Sequence, residues 1–97
     1  MRIRYARRAV NDLESIREYL SKRDPSAGVS VLAAIYAAVE FIRRYPEVAE
    51  VTRIHDIRAK VVQRYRFRVF YRIVAAEDVI EIVHVRHTSR RPWLGET

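Results

Sequence analysis

Two consecutive segments near the C-terminus constrain the fold of this chain more than any other part of it. The first alternates apolar and basic residues: its apolar set is Phe67, Val69, Tyr71 and Ile73, and its basic set is Arg66, Arg68 and Arg72. A repeat of two residues is typical of a β-strand that turns one face toward a core and the other face away from it. Phe70 is the one apolar residue on the basic face.

The second segment, Val79 to Val85, is apolar on both faces, and Glu81 and His84 are its only polar residues. This pattern predicts a strand that is covered on both sides. A turn of four residues, 75–78, separates the two segments, so we expect the strands to pair antiparallel. The second strand carries His87, Arg90 and Arg91 to one end, and we expect the working surface of the protein there or beside it.

Two helices are predicted upstream of these strands. Apolar residues at spacings of three and four begin near Arg8 and predict an amphipathic helix with Arg8 and Asp12 on its solvent side. Asp24 is placed as the N-cap of a second helix with Pro25 at its first position, and Pro46 ends that helix after about Tyr45. The apolar stripe of the second helix is Leu32, Ile35, Val39 and Ile42, widened by Ala33, Ala34, Ala37 and Ala38. The wide face favours an antiparallel helical hairpin.

The remaining segments complete an α+β fold. Residues 2–6 predict a short strand at a sheet edge, residues 57–62 predict another strand, and residues 47–56 predict a loop. The expected order is an N-terminal strand, an antiparallel helical hairpin and a three-stranded antiparallel meander. We expect the hairpin on one face of the sheet and the arginines on the other. One domain of residues 1–97 is predicted, with a C-terminal tail from about residue 88.

Composition narrows the kind of protein. The chain has 97 residues and no cysteine, which excludes disulfides and zinc thiolate sites. Neither a signal-peptide pattern nor an uninterrupted apolar run of membrane-spanning length is present, so we expect a cytoplasmic protein with no membrane partner, metal or cofactor. The net charge of +7 is compatible with nucleic acid, the ribosome, an anionic membrane surface or an acidic protein as partner.

In order and content these segments resemble the ParE/RelE superfamily of toxins from bacterial toxin-antitoxin modules. Four pieces carry the resemblance: residues 11–20, the run Asp24-Pro25-Ser26-Ala27, the run Tyr45-Pro46-Glu47, and residues 67–87. The long helical hairpin resembles the ParE branch more than the RelE branch. One departure is the loop after Pro46, which lacks the glycine-rich segment that is frequent in relatives.

The ParE-like resemblance implies the toxin component of a type II toxin-antitoxin module. Such a toxin inhibits DNA gyrase and replication, arrests growth, contributes to plasmid stabilisation, and is neutralised by a cognate antitoxin. The antitoxin presents an acidic amphipathic segment, and the two proteins form a hetero-oligomer. In this role the basic and aromatic residues around the strands bind the partner; they are Arg58, Arg66, Arg72, Arg86, Arg90, Arg91 and Trp93.

The RelE branch implies an alternative function, a ribosome-dependent mRNA endonuclease. Attack by the 2′-hydroxyl needs a base, a cationic stabiliser and an acid, and the candidates are Lys60, Arg68, His87 and Arg90. Arginine stays protonated and cannot be the base. The same residues also fit structural roles, with the strand cations in solvent and the histidine hydrogen-bonded at a strand end. Because the lysine-rich catalytic run of that branch cannot be laid onto this chain, the ParE interpretation is preferred and enzyme status stays open.

A third hypothesis is direct binding of DNA or RNA by a regulator. The basic charge favours it, but the sequence contains no helix-turn-helix or RNA-binding motif. It therefore ranks last.

Overall fold

A five-stranded sheet with two helices against one face forms the fold in the computed structural model, which describes residues 1–89. The elements are β1 (Arg2–Tyr5), α1 (Arg7–Arg23), α2 (Pro25–Arg44), β2 (Glu50–Val51), β3 (Arg58–Val62), β4 (Phe67–Val74) and β5 (Val79–His87). Single-turn 3-10 helices, Gln63–Tyr65 and Ala75–Glu77, connect β3 to β4 and β4 to β5. The predicted α+β class and element order are confirmed.

The sheet has the strand order β1-β5-β4-β3-β2. The meander of β3, β4 and β5 is antiparallel, as predicted, and β1 lies at an edge. β1 runs parallel to β5, from Arg2 opposite Val79 to Tyr5 opposite Ile82. Since parallel strands need a long crossover, the helical hairpin supplies the connection that brings the chain back to the sheet. β2 lies in the segment predicted as a loop, because two residues are too few to show an alternating pattern.

Asp24 separates the two helices as predicted. Its Oδ1 accepts a hydrogen bond from the Ala27 N–H at 3.2 Å, and Pro25 opens α2. At the same end Gly28 is buried, and a Cβ there would lie 3.3 Å from the Leu20 Cβ. A side chain at this position would push against α1, and Leu20 would have to move by a few tenths of an ångström to admit it.

The main core lies between the hairpin and the sheet. α2 contributes Val31, Ile35, Val39 and Ile42, and the strands contribute Val69, Tyr71, Ile80 and Ile82. Only part of the predicted alanine stripe belongs to this core. Ala38 is buried and Ala34 is partly buried, whereas Ala33 and Ala37 are exposed. The expectation that all four alanines widen the packed face was wrong for those two, which lie on the outward side of the helix.

A second, smaller core occupies the opposite face of the sheet. Ile57, Ala59 and Phe70 are buried there, with Ile54 and Val83 packed against them. A register shift makes this possible, since Phe70 pairs with His84 and Tyr71 pairs with Ile82, which leaves Val83 as an extra residue in β5. This face was predicted to carry arginines. It carries arginines around an apolar centre.

α2 is long and apolar enough to cross a membrane by length and composition. The expectation from the sequence concerned an uninterrupted apolar run, which this helix does not have because Ser30 and Glu40 fall within it; an average over the helix requires no unbroken run. Six of its residues are buried in the fold: Gly28, Val31, Ile35, Ala38, Val39 and Ile42.

The buried phenol of Tyr71 generates a prediction for stability. Its hydroxyl donates to the Pro46 carbonyl at 2.6 Å, and burial raises the pKa of Tyr71, partly offset by the positive charge of Arg58. A folded-state pKa above the unfolded value of about 10 contributes stability below pH ~10 that is lost as the pH rises above it. We expect Tyr71→Phe to lower the free energy of unfolding at neutral pH by about 1 kcal/mol and to weaken its decline above pH ~10.

Urea titrations between neutral pH and about pH 11 measure both effects. The exposed Tyr19 provides the matched control, because Tyr19→Phe removes a hydroxyl from the surface. An unchanged alkaline decline in the Tyr71→Phe variant would contradict the assignment.

Candidate partner-binding groove and basic sheet face

A groove of about 740 Å³ opens between α1 and the last residues of β5. α1 lines one side with Arg8, Asp12 and Tyr19, while Phe67, His84, Arg86 and His87 line the sheet side. The floor is apolar and the rim carries charged and hydrogen-bonding groups. A groove of this kind suits a peptide segment that presents both apolar and acidic side chains.

The groove exists because β1 is short. β1 pairs with β5 only as far as Ile82, and the chain then enters α1, which lies beside residues 83–87 of β5. Asp12 takes the place of the missing strand, since its Oδ2 accepts a hydrogen bond from the Val85 N–H at 2.9 Å. The same oxygen lies 2.7 Å from His84 Nδ1. One carboxylate thus ties α1 to the central strand.

His84 is the polar centre of this contact. Its ring stacks on Phe70 with a centroid distance of 5.5 Å and is almost inaccessible to solvent. Arg8 Nε lies 3.2 Å from Nδ1, but one ring nitrogen cannot both accept from Arg8 and donate to Asp12. We assign the proton to Nδ1, because the contact with the carboxylate is shorter and joins a donor to an anion. Arg8, Asp12 and His84 are named the α1–β5 cluster below.

His87 lies at the mouth of the groove. Its ring contacts Phe67 edge-on at 5.2 Å, and its Nδ1 accepts a hydrogen bond from the Ser89 N–H at 3.0 Å. An accepting Nδ1 places the proton of the neutral ring on Nε2. In this arrangement His87 presents a donor toward its surroundings, which suits binding or a general acid better than a general base.

The open face of the sheet carries a pair of arginines. Arg68 and Arg86 are directly opposite each other on β4 and β5, and their guanidinium carbons lie 5.3 Å and 5.8 Å from the centre of the Phe70 ring. Arg86 also donates to the His87 carbonyl at 2.8 Å. Two like charges at opposed positions disfavour the strand pair, and stacking on an aromatic face offsets part of that cost. The pair suits an anionic group of a partner.

The other candidate arginines have different surroundings. Arg72 is exposed and donates to Glu81 at 2.8 Å, and Arg4 shares that carboxylate from β1. Arg66 is exposed in a left-handed conformation at the turn before β4. Arg58 donates to the carbonyls of Glu47 and Ala49, both at 3.0 Å, so its guanidinium holds the loop that precedes β3.

The four residues nominated for catalysis are not brought together. Lys60 lies over the Phe41 ring at 4.8 Å, on the helix side of the sheet, whereas Arg68 is on the open side. His87 contacts Phe67 of the main core at the end of β5. Arg90, Arg91 and Trp93 lie outside the described residues. Within residues 1–89 no group of three or more histidine, cysteine, aspartate or glutamate residues is arranged to hold a metal ion.

The α1–β5 cluster was missed by sequence reasoning, which assigned Arg8 and Asp12 to solvent. The sequence did contain a signal that points to this cluster. His84 interrupts a strand that is otherwise apolar, and a buried polar side chain needs a partner. Arg8 and Asp12 are four residues apart and therefore share one helix face. The pattern did not specify which face would meet β5.

Comparisons with known proteins agree with this architecture. A family model described as "ParE toxin of type II toxin-antitoxin system, parDE" matches residues 3–92. The chain is 32% identical over 83 residues to "Putative toxin Y4kP" of Sinorhizobium fredii (strain NBRC 101917 / NGR234), covering 86% of each protein.

Two solved structures share the fold at low sequence identity. A chain of the chromosomal ParDE toxin-antitoxin system from P. aeruginosa has a TM-score of 0.73 at 18% identity, over 92% of this chain and 97% of that one. A chain of the intact E. coli RelBE toxin-antitoxin complex has a TM-score of 0.60 at 14% identity, over 92% of this chain and 98% of that one.

The bridging role of Asp12 is testable through stability. Asp12→Ala leaves the buried N–H of Val85 and the ring of His84 without their acceptor, so we expect the free energy of unfolding to fall by about 1–3 kcal/mol. Glu14→Ala removes an exposed carboxylate from the same helix and should change it by less than about 0.5 kcal/mol. Urea unfolding of both variants provides the comparison. Equal free energies of unfolding for Asp12→Ala and Glu14→Ala would show that Asp12 is not the link between α1 and β5.

Proposed function

The chain belongs to the ParE toxin family of type II toxin-antitoxin systems, and on that premise we propose that it inhibits DNA gyrase in the cytoplasm and is neutralised by a cognate antitoxin. The observation that carries the choice of binding over catalysis is the separation of Lys60, Arg68 and His87 described above. Cleavage of RNA needs a base, a stabilising cation and an acid around one phosphate. Within residues 1–89 Lys60 and His87 lie on the helix side of the sheet and Arg68 lies on the open side.

The titratable groups also favour binding over catalysis. Arginine cannot act as a base, and His84 is engaged by Asp12 beneath the surface. His87 Nδ1 accepts a hydrogen bond from the Ser89 N–H, which leaves Nε2–H as a donor. Arg66 and Arg72 remain exposed, whereas Arg86 is buried beside Phe70. Exposed arginines suit the recognition of an acidic or phosphorylated surface.

The antitoxin is proposed to occupy the groove between α1 and β5. The ParDE and RelBE structures that share this fold are toxin-antitoxin systems, which supports a hetero-oligomer with an antitoxin here. The net charge of +7 favours an acidic segment. Its apolar side chains would cover the half-exposed Tyr19 on the α1 side of the groove, and its carboxylates would meet the exposed Arg8.

An mRNA endonuclease remains the second candidate. One observation favours it: Arg68 and Arg86 lie side by side over Phe70, a geometry that could neutralise a phosphate in its transition state. In that mechanism His87 would act through Nε2–H as the acid for the leaving oxygen.

We expect expression of this chain alone to arrest growth. Co-expression of a small acidic protein from the adjacent gene should restore growth, because the antitoxin covers the toxin surfaces. Growth curves with immunoblots that confirm soluble protein provide the measurement. Unaffected growth at confirmed soluble expression would contradict toxicity of this chain.

The target is distinguished by comparing gyrase-dependent DNA cleavage with mRNA cutting on translating ribosomes. We expect gyrase-dependent cleavage and intact mRNA. Arg66→Ala and Arg72→Ala should each weaken inhibition of gyrase roughly two- to fivefold, the effect of an exposed ionic contact. Arg17→Ala, which removes a positive charge from the exposed side of α1, is the control and should leave inhibition unchanged.

The opposite outcome would identify the ribonuclease. Cleavage of mRNA that is lost in Arg68→Ala or His87→Ala, with gyrase unaffected by the parent protein, would replace the gyrase proposal with the endonuclease.

A further inference from the structure

The outward face of α2 is apolar and uncharged as far as Val39, and the exposed Glu40 continues the same stripe. From Pro25 to Val39 the helix contains no charged residue, although the protein carries a net charge of +7. Val29 is 72% exposed and Tyr36 is 49% exposed, and Ala33 and Ala37 are exposed between them. Spacings of three and four residues place these four side chains on one stripe, opposite the buried face.

This stripe continues across a shallow cleft to α1. The cleft, of about 360 Å³, lies between the helices, with Tyr36 and Leu32 on one side and Val10 and Leu13 on the other. Val10 is 40% exposed. The stripe and the apolar lining of the cleft are called the α2 face below; Glu14 and Arg17 of α1 also line the cleft and carry opposite charges. Contiguous apolar surfaces on a protein are typical of interaction sites.

We propose that the α2 face is the contact between two copies of this chain, with the α2 helices packed antiparallel about a two-fold axis near Ala33. The distribution of charge favours a second copy of the chain as the partner of this face. An acidic partner would meet no cation between Pro25 and Val39, whereas two identical copies with a charge of +7 each need an uncharged face to approach one another.

A two-fold axis near Ala33 keeps the charged end of α2 away from the axis, since Arg43 and its ion-pair partner Glu40 lie beyond the uncharged stretch. The small side chains at Ala33 and Ala37 permit a short distance between the helix axes, at the lower end of about 8–10 Å.

The area predicts a weak dimer. A helix of twenty residues is about 30 Å long, and a strip about 10 Å wide along it covers roughly 300 Å². Stable complexes bury about 800 Å² on each partner, so even with the cleft and Val10 included the contact falls near the lower limit. We expect dissociation constants of about 10–100 μM.

The dependence on salt separates this association from charge-driven binding. Two cationic copies repel each other, so screening should strengthen the dimer, whereas binding of an acidic protein or a nucleic acid weakens as salt increases. Sedimentation velocity of the toxin, purified away from its antitoxin, should show a dimer fraction that increases with protein concentration. That fraction should be larger at about 0.5 M salt than at about 0.05 M.

Two valines provide a matched pair of variants. Val29 lies on the α2 face and Val48 lies in the loop after α2, and they are 72% and 68% exposed. Val29→Lys places two added charges in the contact and should reduce dimerisation at least tenfold, while Val48→Lys should leave it unchanged. A chain that stays monomeric up to about 500 μM, well above the expected dissociation constant, overturns the proposal. Equal effects of the two variants also overturn it.

A thiol provides an independent test, because the chain contains no cysteine. Ala33→Cys should form a disulfide-linked dimer under mild oxidation, since facing residues at a two-fold axis come within disulfide range. Val48→Cys should not. Absence of the Ala33→Cys dimer would contradict an axis near Ala33.

Two further results would assign the face to a different occupant and overturn the proposal. One is a loss of antitoxin binding in Val29→Lys with self-association unchanged. The other is binding of the parent chain to anionic phospholipid vesicles that Val29→Lys abolishes and Val48→Lys does not.

Discussion

The carboxylate of Asp12 supports the arrangement on which the groove depends. β5 is central, but its parallel neighbour β1 ends opposite Ile82, so the next part of β5 needs other hydrogen-bond partners. Asp12 accepts a hydrogen bond from the Val85 N–H and another from His84 Nδ1–H. α1 is thereby held beside β5 without a further strand, and the space between them becomes the groove.

The irregularity at Val83 has a related effect. In an unbroken strand His84 would lie on the face opposite Val83. The register shift opposite Phe70 and Tyr71 instead keeps His84 on the same face as Val83, against the Phe70 ring, while Val85 enters the main core. The open face thus acquires an aromatic centre with Arg68 and Arg86 over it. The groove, this basic face and the α2 face are three surfaces with different charge, which suits three different contacts.

Features that depend on neighbours in the sequence were predictable. The alternation through β4, the apolar run of β5 and the pair Asp24-Pro25 each identify a local conformation, and together they define the element order. Features that depend on the pairing of distant segments were not. Lys60 and Arg68 were nominated for one catalytic assembly, but β3 presents Lys60 to the helices because its register with β4 places it opposite Val69.

The sequence by itself determined the α+β class, the helical hairpin and the meander, because periodicity and caps are properties of short segments, and the resemblance of four segments to known toxins indicated the family. Only the tertiary structure decided that β1 pairs parallel with β5, that Asp12 contacts His84 across 72 positions of the chain, and that a second core forms around Phe70. It also decided that the outward side of α2 stays uncovered within residues 1–89. These outcomes depend on which helix and strand faces pack against each other, and that packing is decided only when the whole chain folds around both cores.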